Sequence, residues 1–200
     1  LYLCDKNLEQ IEPDKITTHN LLAEVCMAAY YEGDLIKTHY TPYQEIYKDT
    51  GSGFTICTAL ARSFADIGDI IRGRDLYRGN DKENDKLERK LKKIFKKIHS
   101  DVTKGGKKSA KELKTRYIDD AKGGDFFKLR EDWWTANREK VWEAITCKAN
   151  DDDKYFRKTA CGTGTPTHKQ CRCSDKPKSA KAGDVNIVPT YFDYVPQFLR

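Results

Sequence analysis

The sequence predicts an all-α fold: a disulfide-stapled helical bundle with long irregular loops. Three observations carry this expectation. Apolar residues recur at three- and four-residue spacing in two long segments, and all three tryptophans fall in a third helical segment. Seven cysteines, at positions 4, 26, 57, 147, 161, 171 and 173, offer the staples. No segment alternates apolar and polar residues regularly enough to be called a strand.

Taken in chain order, residues 17–31 read as a short helix, with Thr17 or Thr18 as N-cap and Gly33 just past its end. Residues 41–53 are turn-rich. A strong helix follows over 54–73, where Cys57, Leu60, Ala61, Phe64, Ile67 and Ile71 form one stripe. Gly68 interrupts it at a cost of about 1 kcal/mol relative to Ala, unless close packing requires it. Over 85–99, Leu87, Leu91, Ile94, Phe95 and Ile98 fall within an arc of about 100° and almost everything else is charged. A basic loop over 104–108, with Gly105 and Gly106, leads to a helix starting near Ala110.

The tryptophan segment, 126–147, has a different geometry. Phe127, Trp134, Val141 and Ile145 share one face, Phe126 and Trp133 share a second about 100° away, and Trp142 points roughly opposite Trp133. A stacking platform for a ligand would keep its aromatics on one face. Distributed around the helix, they anchor a bundle core, so Phe64, Phe127, Trp133, Trp134 and Trp142 are expected inside. After Cys147 the chain is loop-like, pinned by four cysteines, and 187–200 reads as a turn leading into a helix.

The chain is 34% charged and 11% aromatic, polar but with enough large side chains to fold. No apolar run approaches the roughly 18 residues of a membrane span; the longest, around 21–31, is broken by Glu24. The beginning at Leu1, without a signal-peptide pattern, and the aromatic stretch at the end read as an excised piece of something longer. Seven cysteines suggest disulfides in an oxidising compartment, with connectivity open and one cysteine left over. Cys147, Cys161, Cys171 and Cys173 around His168 do not have the spacing of common zinc folds, so no metal is expected. Residues 162–169 lack the Gly-Lys-Ser/Thr ending of a phosphate loop. Asp119-Asp120 and Glu131-Asp132 are neighbours that diverge on a helix, and the four histidines show no nucleophile–base arrangement. The mixed charges at Arg62, Asp66, Asp69, Arg72, Arg74 and Asp75 suit ion pairs between helices better than an active site. Neither catalysis nor a cofactor is expected.

Charge is the clearest functional signal. Between Lys82 and Lys108 there are eleven Lys/Arg against four Asp/Glu, a balance of +7 in a chain whose total is +6. Such a surface concentrates polyanions in a salt-dependent way. The candidate site is Lys86, Arg89, Lys90, Lys92, Lys93, Lys96 and Lys97, with Lys104, Lys107 and Lys108 beside them. Lys92–Lys96 and Lys93–Lys97 would make i,i+4 ladders of charge along the solvent side.

Three blocks carry a family resemblance: residues 61–70 (Ala61 to Ile70), 130–138 (Arg130 to Arg138) and 189–200 (Pro189 to Arg200). Together with Leu3-Cys-Asp-Lys-Asn7, Val25-Cys26 and Cys171-Arg-Cys173 they resemble Duffy-binding-like domains of the alpha class. Those domains form the N-terminal adhesion head of the Plasmodium falciparum erythrocyte membrane protein 1 family. The resemblance implies a truncated Duffy-binding-like fold: an N-terminal subdomain (1–50, partial), a helical-bundle subdomain (51–200) and a missing C-terminal helical subdomain. It also implies non-catalytic adhesion on the infected erythrocyte surface, with membrane anchorage only through missing parts of the full-length protein. The implied partners are host erythrocyte surface glycans or receptors: heparan sulfate-like glycans, blood-group sugars or complement receptor, in rosetting with uninfected erythrocytes. A protein-receptor adhesin with a loop-borne footprint is the alternative, and a nucleic-acid-binding helical domain a remote one; no nucleic acid is expected. The matched blocks are structural core in this family, so no ligand residue transfers by motif.

Overall fold

The computed structural model describes residues 6–16, 18–46, 55–75, 82–104, 108–161, 165–173 and 187–200. Among the described residues seven α-helices run in order: α1 (Lys6–Glu9), α2 (Thr18–Ile46), α3 (Ile56–Arg72), α4 (Lys82–Thr103), α5 (Lys108–Arg116), α6 (Ile118–Gly123) and α7 (Phe127–Ile145). Short 3-10 helices occupy Pro13–Lys15, Phe192–Tyr194 and Gln197–Leu199. No helix among the described residues is long and apolar enough to cross a membrane.

α2 corrects the expected short helix and the expected turn-rich stretch after it. It runs for 29 residues, straight through Gly33 and on to Ile46. Gly33 is not a cap. A Cβ there would lie 2.0 Å from the carbonyl oxygen of Ile145, so the glycine lets α2 lie directly against the end of α7. The remainder of the turn-rich stretch, 47–53, lies outside the described residues.

α3 follows its sequence pattern. Cys57, Leu60, Phe64, Ile67 and Ile71 are all buried, and the helix stops at Gly73, whose φ of 76° is the left-handed cap conformation. Gly68 has the close-packing reason its position required: a Cβ there would meet the Trp134 ring at 2.8 Å. α4 likewise buries Leu87, Leu91, Ile94, Phe95 and Ile98 and leaves its opposite side in water.

α7 packs against α2, α3 and α4 and leaves one side, with Lys128, Thr135, Glu139, Lys140 and Glu143, in water. Trp134 and Trp142 are fully buried with their ring centroids 5.1 Å from that of Phe64, and Trp133 meets Phe95 of α4 edge-on at 6.2 Å. α2 lies against α7 at Ile145. Phe127 departs from the expected core, being 48% exposed. It is the first residue of α7 and projects off the end of the bundle. Phe126, at a left-handed φ of 56°, is buried instead.

Buried arginines tie the helices together. Arg130 of α7 donates to the carbonyls of Ile70 and Ile71 at the end of α3 and pairs with Glu88 of α4 at 2.8 Å. The last carbonyls of a helix have no intrahelical donor, so one guanidinium satisfies orphaned acceptors on one helix and a carboxylate on another. Arg138 grips Asp193 at 2.8 Å, and Trp134 Nε1 donates to the same carboxylate. The segment over 187–200 is thereby fastened to α7. It forms two 3-10 turns rather than the turn and α-helix expected. Pro189 and Pro196, which cannot donate to an α-helical ladder, fit that outcome.

Among the described residues two disulfides staple the loops. Cys57 of α3 pairs with Cys171, 114 residues away, and Cys161 pairs with Cys173. Closing a loop of the first size constrains the unfolded chain by about 5 kcal/mol.

Candidate functional site

The basic residues of α4 divide according to their angle on the helix. With the apolar residues centred on one direction, Lys86, Arg89, Lys93, Lys96 and Lys97 lie within about 100° on the opposite side, and all five are exposed. Lys90 and Lys92 lie at the margins and are half-buried. Their amines turn to neighbours: Lys92 pairs with Asp125 at 2.5 Å, and Lys90 donates to the carbonyl of Glu9. Lys97 also bends to the margin and donates to the Ile16 carbonyl at 3.0 Å. Each expected ladder therefore loses one member to a local partner.

What remains facing water is Lys86, Arg89, Lys93 and Lys96, with Lys104 exposed at the end of the helix. Arg89 Nε is bonded one turn back to the Asp85 carbonyl. Asp85 is exposed at the edge of this face, whereas Glu88 is committed to Arg130 on the other side. Lys107 lies outside the described residues, as does the side chain of Lys108, whose backbone begins α5. The face can attract anions.

The carboxylate pairs diverge as expected. Asp132 takes a bidentate bond from Arg116 and a third from Tyr117, holding its carboxyl below the usual range, chiefly through Arg116. Glu131 pairs with Arg74 at 2.7 Å on another side. Asp120 caps the start of α7, accepting from the amides of Lys128 and Leu129. The mixed charges of α3 form pairs between elements, Arg200 with Asp66 and Asp69 and Arg72 with Glu131, and one within the helix, Arg72 with Asp69. No group of His, Cys, Asp or Glu among the described residues could hold a metal ion.

The cysteines require a correction. Cys147 was expected to pin the loops, but it is unpaired and exposed; Cys26 is unpaired too, and burial pushes its thiol up. Cys147 follows immediately on α7, outside the stapled loops, whereas Cys57, Cys161, Cys171 and Cys173 enclose them. Cys4 lies outside the described residues. The stapled loops, expected to carry the footprint in the alternative protein-receptor reading, bring Phe156 and Arg157 together with Arg62 and Tyr191 around one cavity. The signal available was a pair of aromatics, Tyr155-Phe156, in a segment with no helical periodicity to bury them.

Comparison with known proteins gives a consistent answer. The PfEMP1 IT4var13 DBLbeta domain, described as ICAM-1-binding, matches with a TM-score of 0.63 and 30% identity, over 99% of this chain and 39% of its own. The same domain solved bound to ICAM-1 gives 0.64 and 31%, over 98% and 40%. A second PfEMP1 DBLb domain, solved bound to human ICAM-1, gives 0.59 and 28%, over 98% and 36%. This chain thus spans about two fifths of the length of these solved relatives. No curated protein matches. The Duffy binding domain model matches residues 1–200 from end to end, and the chain belongs to the Duffy binding domain family.

Proposed function

We propose that this chain forms part of a non-catalytic adhesion domain, displayed on the infected erythrocyte surface, that recognises a protein receptor on host cells. The observation that carries the reading is likeness, over nearly the whole chain, to two PfEMP1 domains solved as ICAM-1 binders. A bundle whose interior is filled by Trp133, Trp134 and Trp142, with Asp66 and Asp132 held in ion pairs, suits presentation of a rigid surface better than chemistry. The test is binding of the oxidised chain to immobilised human ICAM-1 as salt is raised. Retention that persists at about 0.5 M salt supports a protein receptor, because exposed charge pairs are screened at that strength. No binding at any salt would sink ICAM-1 as the receptor.

The α4 face supports a second reading, that the domain docks sulfated host glycans of the heparan sulfate type, as the alpha-class, rosetting resemblance implies. Lys86, Arg89, Lys93 and Lys96 would make counterion-releasing contacts with sulfates. Retention on heparin that falls steeply with salt, and is lost when Lys93 and Lys96 are reversed in charge, would favour this reading.

A further inference from the structure

The segment over 187–200 is fastened to the bundle at two places of different quality. At Asp193 the hold is complete. Arg138 donates from Nε and a terminal nitrogen to the two carboxylate oxygens and reaches the Thr190 carbonyl at 2.9 Å, and Trp134 Nε1 adds a third bond to Asp193. At Arg200 it is not. One terminal nitrogen of Arg200 serves both Asp66, at 3.0 Å, and Asp69; the other reaches the Val195 carbonyl at 3.1 Å, and Nε is buried with no partner. A buried donor without an acceptor costs free energy, so this seat is the weaker of the two.

Asp66 and Asp69 stand three residues apart on α3, so their carboxylates lie on one face and converge on a single guanidinium nitrogen. Asp69 is also held by Arg72 at 2.9 Å, and Arg72 in turn by Glu131 of α7. Glu32 of α2, which takes the Ser63 hydroxyl at 2.8 Å, opposes the charge on Asp66, and Asp75 opposes the charge on both aspartates. Asp193 is spent on Arg138. Two carboxylates that share one buried seat, with like charges around them, do not both ionise readily. Burial pushes Asp69 up to about 6 against the pull of Arg200 and Arg72, and it raises Asp66 as well.

We infer that Arg200 and the 196–200 turn form a proton-controlled latch, seated on α3 while Asp69 is ionised and released when Asp69 takes up a proton. Release differs from unfolding in its response to acid. Unfolding exposes Asp69 to water, so burial decides there, and acid favours the folded chain. Release of the turn leaves the Phe192–Tyr194 turn packed on α3, where Arg138 and Trp134 hold it, and removes Arg200, the strongest pull on Asp69 toward ionisation. Asp69 is then more basic with the latch open than closed, and protons favour opening. The effect reaches the cavity between α3 and the stapled loops. Val195 lines that cavity, and its carbonyl loses the Arg200 bond on release. Phe198 and Leu199, 74% and 67% exposed, move with the turn, so the apolar surface offered beside the cavity changes with pH.

The experiment follows two signals by nuclear magnetic resonance in one isotope-labelled, oxidised sample: the Asp69 carboxyl carbon and the Leu199 amide, whose bond to the Pro196 carbonyl at 2.9 Å closes the turn. Arg200→Gln, which lacks the guanidinium, marks the released position of that amide. As pH falls from about 7.4 to about 5, the Leu199 signal should move toward the released position with the same midpoint as the Asp69 carbon, near 6. The ratio of released to seated turn should rise several-fold, within the roughly tenfold that a one-unit difference in basicity allows. Asp69→Asn cannot ionise, so it should lie part-way to the released position already at neutral pH and show no midpoint near 6. A Leu199 amide that stays in place while Asp69 titrates would overturn the inference. So would a pH response that persists in Asp69→Asn, or an Asp69 carbon that titrates near the roughly 4 of exposed carboxylates. The wild-type titration reads both groups without a variant, so it decides the question even where Asp69→Asn does not fold.

Discussion

α7 and α4 are both about twenty residues long and both rich in charge, yet they differ in what they bury. α4 lays one apolar stripe on the bundle and leaves most of its lysines in water. α7 keeps Lys128, Glu139, Lys140 and Glu143 in water but packs its other sides on α2, α3 and α4, burying even the charged residues Arg130 and Arg138. Three structural properties follow. A helix with one wet face tolerates sequence change there, because nothing packs against it. The buried sides of α7 need a partner for each group they carry: glycines at 33 and 68 to admit the helix, and carboxylates for its guanidiniums. The proposed glycan docking would therefore draw on α4, and the proposed protein-receptor footprint on the loops that α7 holds in place.

Four substitutions break or sharpen that contrast. Trp134→Ala should have the largest effect, about 3–5 kcal/mol in denaturant unfolding, since it empties the space between Phe64 and Gly68 and removes a bond to Asp193. Gly68→Ala should cost about 1–3 kcal/mol, because its methyl would press on the Trp134 ring, and the loss should shrink when a smaller aromatic replaces Trp134. A cost below about 0.5 kcal/mol would mean that α3 and α7 are looser than described.

The third concerns Asp69, whose carboxyl is pushed up to about 6 by burial while Arg200 and Arg72 pull the other way. A raised carboxyl binds its proton more readily in the folded chain than in the unfolded one. Its contribution to stability is therefore complete at acid pH and lost as pH rises through about 6. Asp69→Asn cannot titrate, so the variant should gain on the wild type between pH 4.5 and 7. A constant difference across that window would rule this out. The smallest effect belongs to α4: reversing Lys93 and Lys96 together should change stability by no more than about 0.5 kcal/mol. A larger loss would show that the face is packed in solution.

Much of α3, α4 and α7 was legible from spacing, because burial of a regular helix face imposes a period that survives in the residues. The reading went astray where a residue has two uses. Gly33 resembles a helix stop by itself and becomes a helix contact only when Ile145 arrives from 112 positions away. Phe127 is as apolar as Phe126, and only the left-handed turn at Phe126 determines which of them enters the core. Lys92 and Lys97 read as members of a solvent ladder until Asp125 and the Ile16 carbonyl come within reach of them.

By itself, then, the sequence determined the helical class, the position of the basic face and the core role of the tryptophans. Each of these follows from local periodicity and from the cost of exposing apolar surface. Only the tertiary structure decided which cysteines pair, where the buried arginines find their acceptors, and that three distant segments enclose one aromatic, arginine-edged pocket. Those outcomes depend on contacts between residues far apart in the chain, which no local pattern records.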